Sequence, residues 1–316
     1  MAHPDTEKLL RFYRAARSNP PREFVHEREV VPQPSFFSIA ALERQLSNPL
    51  LSPAWINLVS RGQVVPLAGT YLYKTVQKQQ LCFMDKRILD EHLWKGAAVV
   101  LEGLDILDPE INQLCAELDA GLPCSVVNCV AFFSQRENEA YRGHIDTDDV
   151  LVIQLSGEKR WRLFPRQSPR EINLSNLTPQ QMGEPIADFK VRPGDAMYVR
   201  SGVPHMCDTP PPHSLHLSFD LCDRMPTAED VWRAAYARFA ENSLPPYVPP
   251  AEVAKRLSQE LGSEDLAKTL AQLADTARAQ CRDFRERIGA TRVTALARFM
   301  DEQAPSRSAG DVGKAA

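Results

Sequence analysis

The stretch YRGHIDTDDVLVIQLSGEKRWRLFPR, from Tyr141 to Arg166, holds most of what can be read about this chain. His144 and Asp146 stand two residues apart, just ahead of the apolar run DVLVIQL. In extended backbone, residues i and i+2 face the same way. An imidazole and a carboxylate can therefore aim at one point, as two of the three ligands of a facial site built from two histidines and one carboxylate. SGEK, after Leu155, reads as a tight turn. On the strand beyond it, Lys159, Trp161 and Leu163 share a face, while Arg160 and Arg162 take the other. If the tryptophan and leucine point inward, so does the ammonium. A buried ammonium needs an anion, either a protein carboxylate or a bound dicarboxylate.

Moving outward, the grammar from Cys124 to Leu221 is β. SVVNCVAFF, DVLVIQL, RWRLF, AMYVR and SLHLSFDL are short, rich in β-branched and aromatic residues, and bounded by turns. Strands at this spacing predict a double-sheet barrel of the jelly-roll kind, in a mainly β chain with helices (α+β). The second histidine of the site has three candidates. His205 closes RPGDAMYVRSGVPH at a strand edge; His213 and His216 follow it. In SLHLSFDL, alternation puts Ser214, His216, Ser218 and Asp220 on one face, so His216 can touch a ligand without binding metal. The other H-x-D, His3-Pro4-Asp5, is interrupted by proline at a chain end and carries no site.

Flanking segments read differently. Residues 1–35 are charged and proline-punctuated, with a helix around Glu7 to Arg17. FSIAALERQLSN and DPEINQLCAELDAG have helical spacing, the latter with Asp108 as N-cap, and AAVVLEGL reads as a buried strand. Residues 36–225 form the expected central domain. Residues 226–303 are helical. Thr227 and Asp230 begin one helix, and Leu266, Leu270, Leu273, Ala277, Cys281, Phe284 and Ile288 make an amphipathic stripe on another. That stripe either packs on the barrel or pairs with a second copy in a homodimer. Residues 304–316 read as a disordered tail.

The bulk numbers exclude several classes. Of 316 residues, 43% are hydrophobic, enough for a sizeable core. A formal net charge of -4 leaves no electrostatic footprint for nucleic acid. Seven cysteines, an odd number with no C-x-x-C pair, point to reduced thiols in a cytoplasmic protein. No apolar run is long enough to span a bilayer, and the start lacks the apolar core of a signal peptide.

Taken in order, the H-x-D pair, the apolar strand, G-x-K-R-W-R, PGD-x-x-Y-V, the distal His205 and S-L-H-L-S resemble the JmjC-type, cupin-like oxygenases, closest to the ribosomal oxygenase branch. A looser likeness reaches back through LWKGAAVVLEGLDILDPEINQLCAEL. The resemblance implies a double-stranded β-helix that uses Fe(II), 2-oxoglutarate and dioxygen. It makes His144, Asp146 and His205 the iron ligands. It places Lys159 on the distal carboxylate of 2-oxoglutarate and Asn128 beside the cosubstrate. It implies hydroxylation of an amino-acid side chain in a protein or peptide, for which Asp148 and Asp149 of the DTDD loop offer attraction to a basic group. Tailoring of a natural product or ribosomally made peptide, and a non-enzymatic cupin-like binding role, are the other readings.

Overall fold

The computed structural model describes residues 5–17, 22–67, 71–122, 125–135, 141–167, 176–222, 232–235 and 249–288. Thr227, Asp230 and the tail 304–316 lie outside these residues. Two antiparallel sheets face each other. The larger has eight strands, in the order β1 (Phe24–Glu27), β11 (Ala196–Val199), β8 (Asp149–Gly157), β13 (His213–Cys222), β7 (Ser125–Gln135), β6 (Ala98–Leu101), β2 (Ile56–Ser60) and β3 (Gln63–Val64). The smaller has β9 (Lys159–Leu163) between β10 (Ala187–Val191) and β12 (His205–Asp208). A separate hairpin pairs β4 (Tyr71–Val76) with β5 (Gln79–Met84).

Alternation along β8 explains the layering. Val150 and Val152 face the smaller sheet and pack with Trp161, Leu163, Val191 and Cys207. Leu151 and Ile153 face the other way, into the main core with Leu215, Leu217 and Phe219 of β13. That core is closed by helices α1 (Thr6–Ala16) and α5 (Pro109–Gly121), through Leu9, Phe12, Tyr13, Ile111, Leu114 and Leu118. A strand covered on both faces reads as an unbroken apolar run, which is why DVLVIQL lacks a polar face. Each such Leu or Phe contributes about 1.5–3 kcal/mol by leaving water.

The N-terminal segment belongs to this architecture. Tyr13 packs edge-on to Tyr198 at 5.7 Å, and β1 pairs with β11 along one edge of the larger sheet. Asp108 caps α5, accepting from the backbone N–H groups of Glu110 and Ile111, as its position before the apolar run predicts. The turn between β8 and β9 depends on Gly157, at φ +66°; a Cβ there would stand 1.9 Å from the carbonyl oxygen of His213.

At the C-terminal end, Gly262 and Ser263 separate the helix Pro250–Leu261 from the helix Glu264–Ile288, and the Ser263 hydroxyl accepts from Leu266 N–H. The longer helix docks on the domain. Arg285 is buried, ion-paired with Asp105 and Asp119, and donates to the carbonyl of Val126. Of its apolar stripe, Leu266 is buried. Among the described residues, no helix is long and apolar enough to cross a membrane.

Candidate active site

Between the sheets lies a cavity of about 900 Å³, lined from the larger sheet by Val150, Val199 and His216 and from the smaller by Lys159, Trp161 and Cys207. His144 and His205 meet at its wall. The two histidines exchange both backbone hydrogen bonds, 3.0 Å and 2.9 Å, as an isolated antiparallel bridge. His144 thus sits on a single bridge and not in a regular strand; the expected i, i+2 arrangement with Asp146 holds all the same. Asp146 accepts through its backbone carbonyl from Gly202 N–H at 3.1 Å, which pins the loop across the turn that delivers His205.

Ligand atoms of His144, Asp146 and His205 all lie within 4.8 Å of one another. The His144 and His205 Nε2 atoms each stand 3.6 Å from an oxygen of the Asp146 carboxylate. Each imidazole donates Nδ1–H to a backbone carbonyl, Arg142 for His144 at 3.0 Å and Val203 for His205 at 3.1 Å. A carbonyl can only accept, so both rings are held in the tautomer that leaves the Nε2 lone pair free. Burial, then the neighbouring His144, lowers the His205 pKa to about 4, so the ring stays neutral, as a metal ligand must. Two imidazole nitrogens and one carboxylate oxygen on one side of a point form a donor set for a divalent transition metal, with coordination positions left open.

Lys159 is 1% exposed. Its Nζ donates to the hydroxyls of Ser134 and Thr209, each at 2.8 Å, and those hydroxyls are 2.6 Å apart. Among the described residues no carboxylate lies within ion-pairing distance of it. An ammonium has three N–H donors, and two are used. Burial drives its pKa down to about 8, against the weaker pull of Cys207 and Asp208. Among the described residues, then, a desolvated cation stands in the wall of a cavity with no carboxylate paired to it.

On β13, His216, Ser218 and Asp220 line the cavity as the alternation predicts, while Ser214 is turned to the amide of Gln154 at 2.9 Å. His216 stacks on Phe132 at 4.9 Å and 7°, and Trp161 meets it edge-on at 5.9 Å. Burial first, then Asp146, Glu102 and Asp148, raise the Asp220 pKa to about 7. His213 is held elsewhere, its Nε2 2.8 Å from the Ser156 hydroxyl.

Asn128 is the expected site residue that the fold does not bring to the cavity wall. Its amide donates to Glu102 at 3.0 Å and accepts from Gly103 N–H at 3.1 Å, bracing the turn after β6. Asp149 is also occupied: it accepts from the Tyr198 hydroxyl at 2.6 Å and from Ser201 N–H at 2.9 Å. It anchors its loop, and Arg17 Nε stands 3.9 Å from its carboxylate, so a basic group of the chain itself faces it. Sequence reading missed Ser134 and Thr209, the partners of Lys159. Ser134 shares its face of β7 with Val130 and Phe132, a weak signal; for Thr209, in CDTPPP, there was none.

Residues 107–231 match the family model described as JmjC domain. Curated relatives include a "Bifunctional lysine-specific demethylase and histidyl-hydroxylase NO66" of Drosophila willistoni, 28% identical over 43% of this chain and 17% of its own length. "Ribosomal oxygenase 2" of Rattus norvegicus is 32% identical over 30% of this chain and 21% of its own length. This chain therefore spans about a fifth of these relatives. Among solved structures, Escherichia coli YcfD, described as a ribosomal oxygenase in complex with cobalt and 2-oxoglutarate, shares the fold with a TM-score of 0.51. The likeness covers 83% of this chain and 70% of that one, at 14% identity.

Proposed function

We propose that this chain, which carries a JmjC domain, is an Fe(II)- and 2-oxoglutarate-dependent oxygenase that hydroxylates an amino-acid side chain in a protein or peptide. The observation that carries the reading is a pairing of sites in one cavity. His144, Asp146 and His205 converge on one point, and Lys159 presents a buried ammonium with a donor unspent. The two facing sheets support reading the core, within residues 36–225, as a double-stranded β-helix.

The residues fit both groups. His144 Nε2, His205 Nε2 and an Asp146 oxygen would hold the ferrous ion, and Lys159 would hold the distal carboxylate of 2-oxoglutarate. When bound, this metal and cosubstrate would use dioxygen to couple oxidative decarboxylation of 2-oxoglutarate to succinate and carbon dioxide with hydroxylation of a substrate C–H bond, one oxygen atom going to succinate and the other to the substrate. The protein's own part is placement. The Nδ1–H bonds to Arg142 and Val203 fix both imidazoles before metal arrives, so little reorganisation is needed. Val130, Ile145, Val150 and Val199 wall the cavity with apolar surface and keep water away from the reacting atoms. Val64, 53% exposed, and the exposed Arg142 mark the mouth, where a substrate side chain would enter past Glu102 and Tyr141.

The test is conversion of 2-oxoglutarate to succinate by the purified chain, dependent on added Fe(II). It is joined to a mass-spectrometric search for proteins that gain one oxygen in a lysate. Succinate formed by the wild-type chain and lost in Asp146→Ala supports the reading. Absence of iron-dependent turnover and of 2-oxoglutarate binding would leave a cupin-like binding protein in its place.

A further inference from the structure

Gly62, Gln63 and Val64, three consecutive residues lining the cavity, belong to the last hairpin of the larger sheet. Strand β3 pairs with β2 on one side, and among the described residues no strand pairs with its other side. Arg61 and Gly62, at φ +52° and +72°, make the two-residue turn between the strands. The pairing phase then fixes where each backbone group points. Gln63 stands opposite Ser60, flanking the turn, and Val65 N–H donates to the Leu58 carbonyl at 2.8 Å. Between these bonded positions, Val64 opposes Val59 in a non-bonded pair. Its N–H and C=O therefore point away from β2, to the open edge. Among the described residues no hydrogen bond claims either group.

The open edge is aligned with the cavity. Val59 packs with Val130 and against Phe132, both of which line the cavity. Residues directly opposite each other in a sheet share a face. Val64, and any residue bonded across its open side, thus turn their side chains to the cavity face. The turn is also seated on the site: a Cβ on Gly62 would stand 2.6 Å from Arg142 Cγ, and the Arg142 carbonyl holds the His144 ring. Natural sheets blunt open edges with charge or cover. Gln63 and Val64 are exposed and uncharged, and Pro66 stops the strand just beyond. One donor and one acceptor on a single extended residue are completed by another extended backbone. A second copy of this chain paired here would lay its own strand across the mouth.

We propose that the open edge of β3 docks the substrate as an extended polypeptide segment antiparallel to it. One substrate residue exchanges both backbone hydrogen bonds with Val64 and turns its side chain into the cavity, where it is oxidised. The proposal rests on the oxygenase reading and deepens it. Recognition through backbone requires the substrate segment to be extended, not held in a helix.

The experiment uses the full chain with Fe(II) and 2-oxoglutarate. The probe is a denatured lysate digested to peptides with Glu-C, searched by mass spectrometry for peptides that gain one oxygen. A peptide so found is resynthesised for kinetics. Val64→Pro removes the edge N–H and leaves the bonds of Gln63 and Val65 to β2 in place. It should raise KM for the peptide about tenfold, with kcat and the KM for 2-oxoglutarate within about twofold. Val64→Thr, which keeps the N–H and the branched shape, should restore wild-type KM. N-methylation of the peptide at its oxidised residue should raise KM similarly, and at either neighbour should not, since those N–H groups point away from β3. No succinate and no 2-oxoglutarate binding would remove the oxygenase reading itself. Succinate formed without any oxidised peptide, or wild-type KM in Val64→Pro, overturns the docking proposal and leaves the oxygenase reading standing. So does a wild-type dimer that Val64→Pro turns into a monomer, which would give the edge to a second copy. Should Val64→Pro fail to fold, the N-methyl series on wild type decides.

Discussion

Replacing Lys159 with methionine separates a ligand-binding role from a structural one, because the two predict opposite signs. The side chain is nearly isosteric, so the wall stays filled. In the folded chain the Lys159 pKa is lowered from 10.5 to about 8. The folded state therefore disfavours the charged form, and the unfolded chain binds the proton more tightly. By linkage, wild-type stability without ligand rises as pH climbs from about 8 to about 10.5. Below pH 8 the full penalty is present, about 3 kcal/mol at 1.36 kcal/mol per pH unit. Lys159→Met removes that penalty, while Ser134 and Thr209 retain their bond to each other. The variant without ligand should be more stable than wild type by up to about 3 kcal/mol at pH 7, a rise of several degrees in Tm. Its affinity for 2-oxoglutarate should fall about 10²–10³-fold, the cost of a buried carboxylate without its cation. Wild-type affinity should also decline about tenfold per pH unit above pH 8, as the ammonium deprotonates, and Lys159→Met should lose that slope. Differential scanning calorimetry and isothermal titration at pH 7 and pH 9 measure all three. A variant that melts below wild type yet binds 2-oxoglutarate normally would refute the reasoning and make Lys159 a structural residue.

Asp146→Ala should reduce iron-dependent succinate formation at least about 10³-fold and lower bound metal in parallel, read by metal analysis after dialysis, since two imidazoles alone leave the site one ligand short. Arg285→Met leaves Asp105 and Asp119 buried without their cation and should cost about 3–5 kcal/mol in urea denaturation; no loss would mean that the C-terminal helix does not dock as described. Asn128→Ala removes the acceptor for Gly103 N–H and should cost about 1–3 kcal/mol of stability, with 2-oxoglutarate affinity within twofold of wild type. A large loss of affinity there would return Asn128 to the cosubstrate. Gly157→Ala places a Cβ against the His213 carbonyl at positive φ and should destabilise by about 2 kcal/mol or more, measured by thermal melting.

The parts of the site that could be read from sequence are those governed by local periodicity. His144 and Asp146 share a face because they are two residues apart. Lys159 is buried because Trp161 and Leu163 are, and His216 faces the cavity because Leu215 and Leu217 face the core. Which histidine joins the pair could not be settled by period alone. It depends on the antiparallel bridge between His144 and His205, a long-range pairing. Ser134 and Thr209 were hidden for the same reason, since the wall they make with Lys159 draws on β7, β9 and the segment just after β12. Asn128 and Asp149 follow the same rule. Hydrogen bonds to Gly103 and to Ser201, both distant in the chain, engage their polar atoms, and no local pattern reveals them. Among the described residues, the last helix docks through Leu266 of its apolar stripe and through Arg285, which no amphipathic stripe reveals.

The mutual backbone bonds between His144 and His205 tie the metal-binding geometry to closure of the barrel. One histidine precedes β8 of the larger sheet, and the other begins β12 of the smaller sheet. A chain whose layers have not yet come together owns both imidazoles but cannot present them as a chelate. On the proposed reading, ion capture would wait for that closure: the half-assembled polypeptide would hold no chelate, and oxidising capacity would arrive only with a closed chamber to contain it.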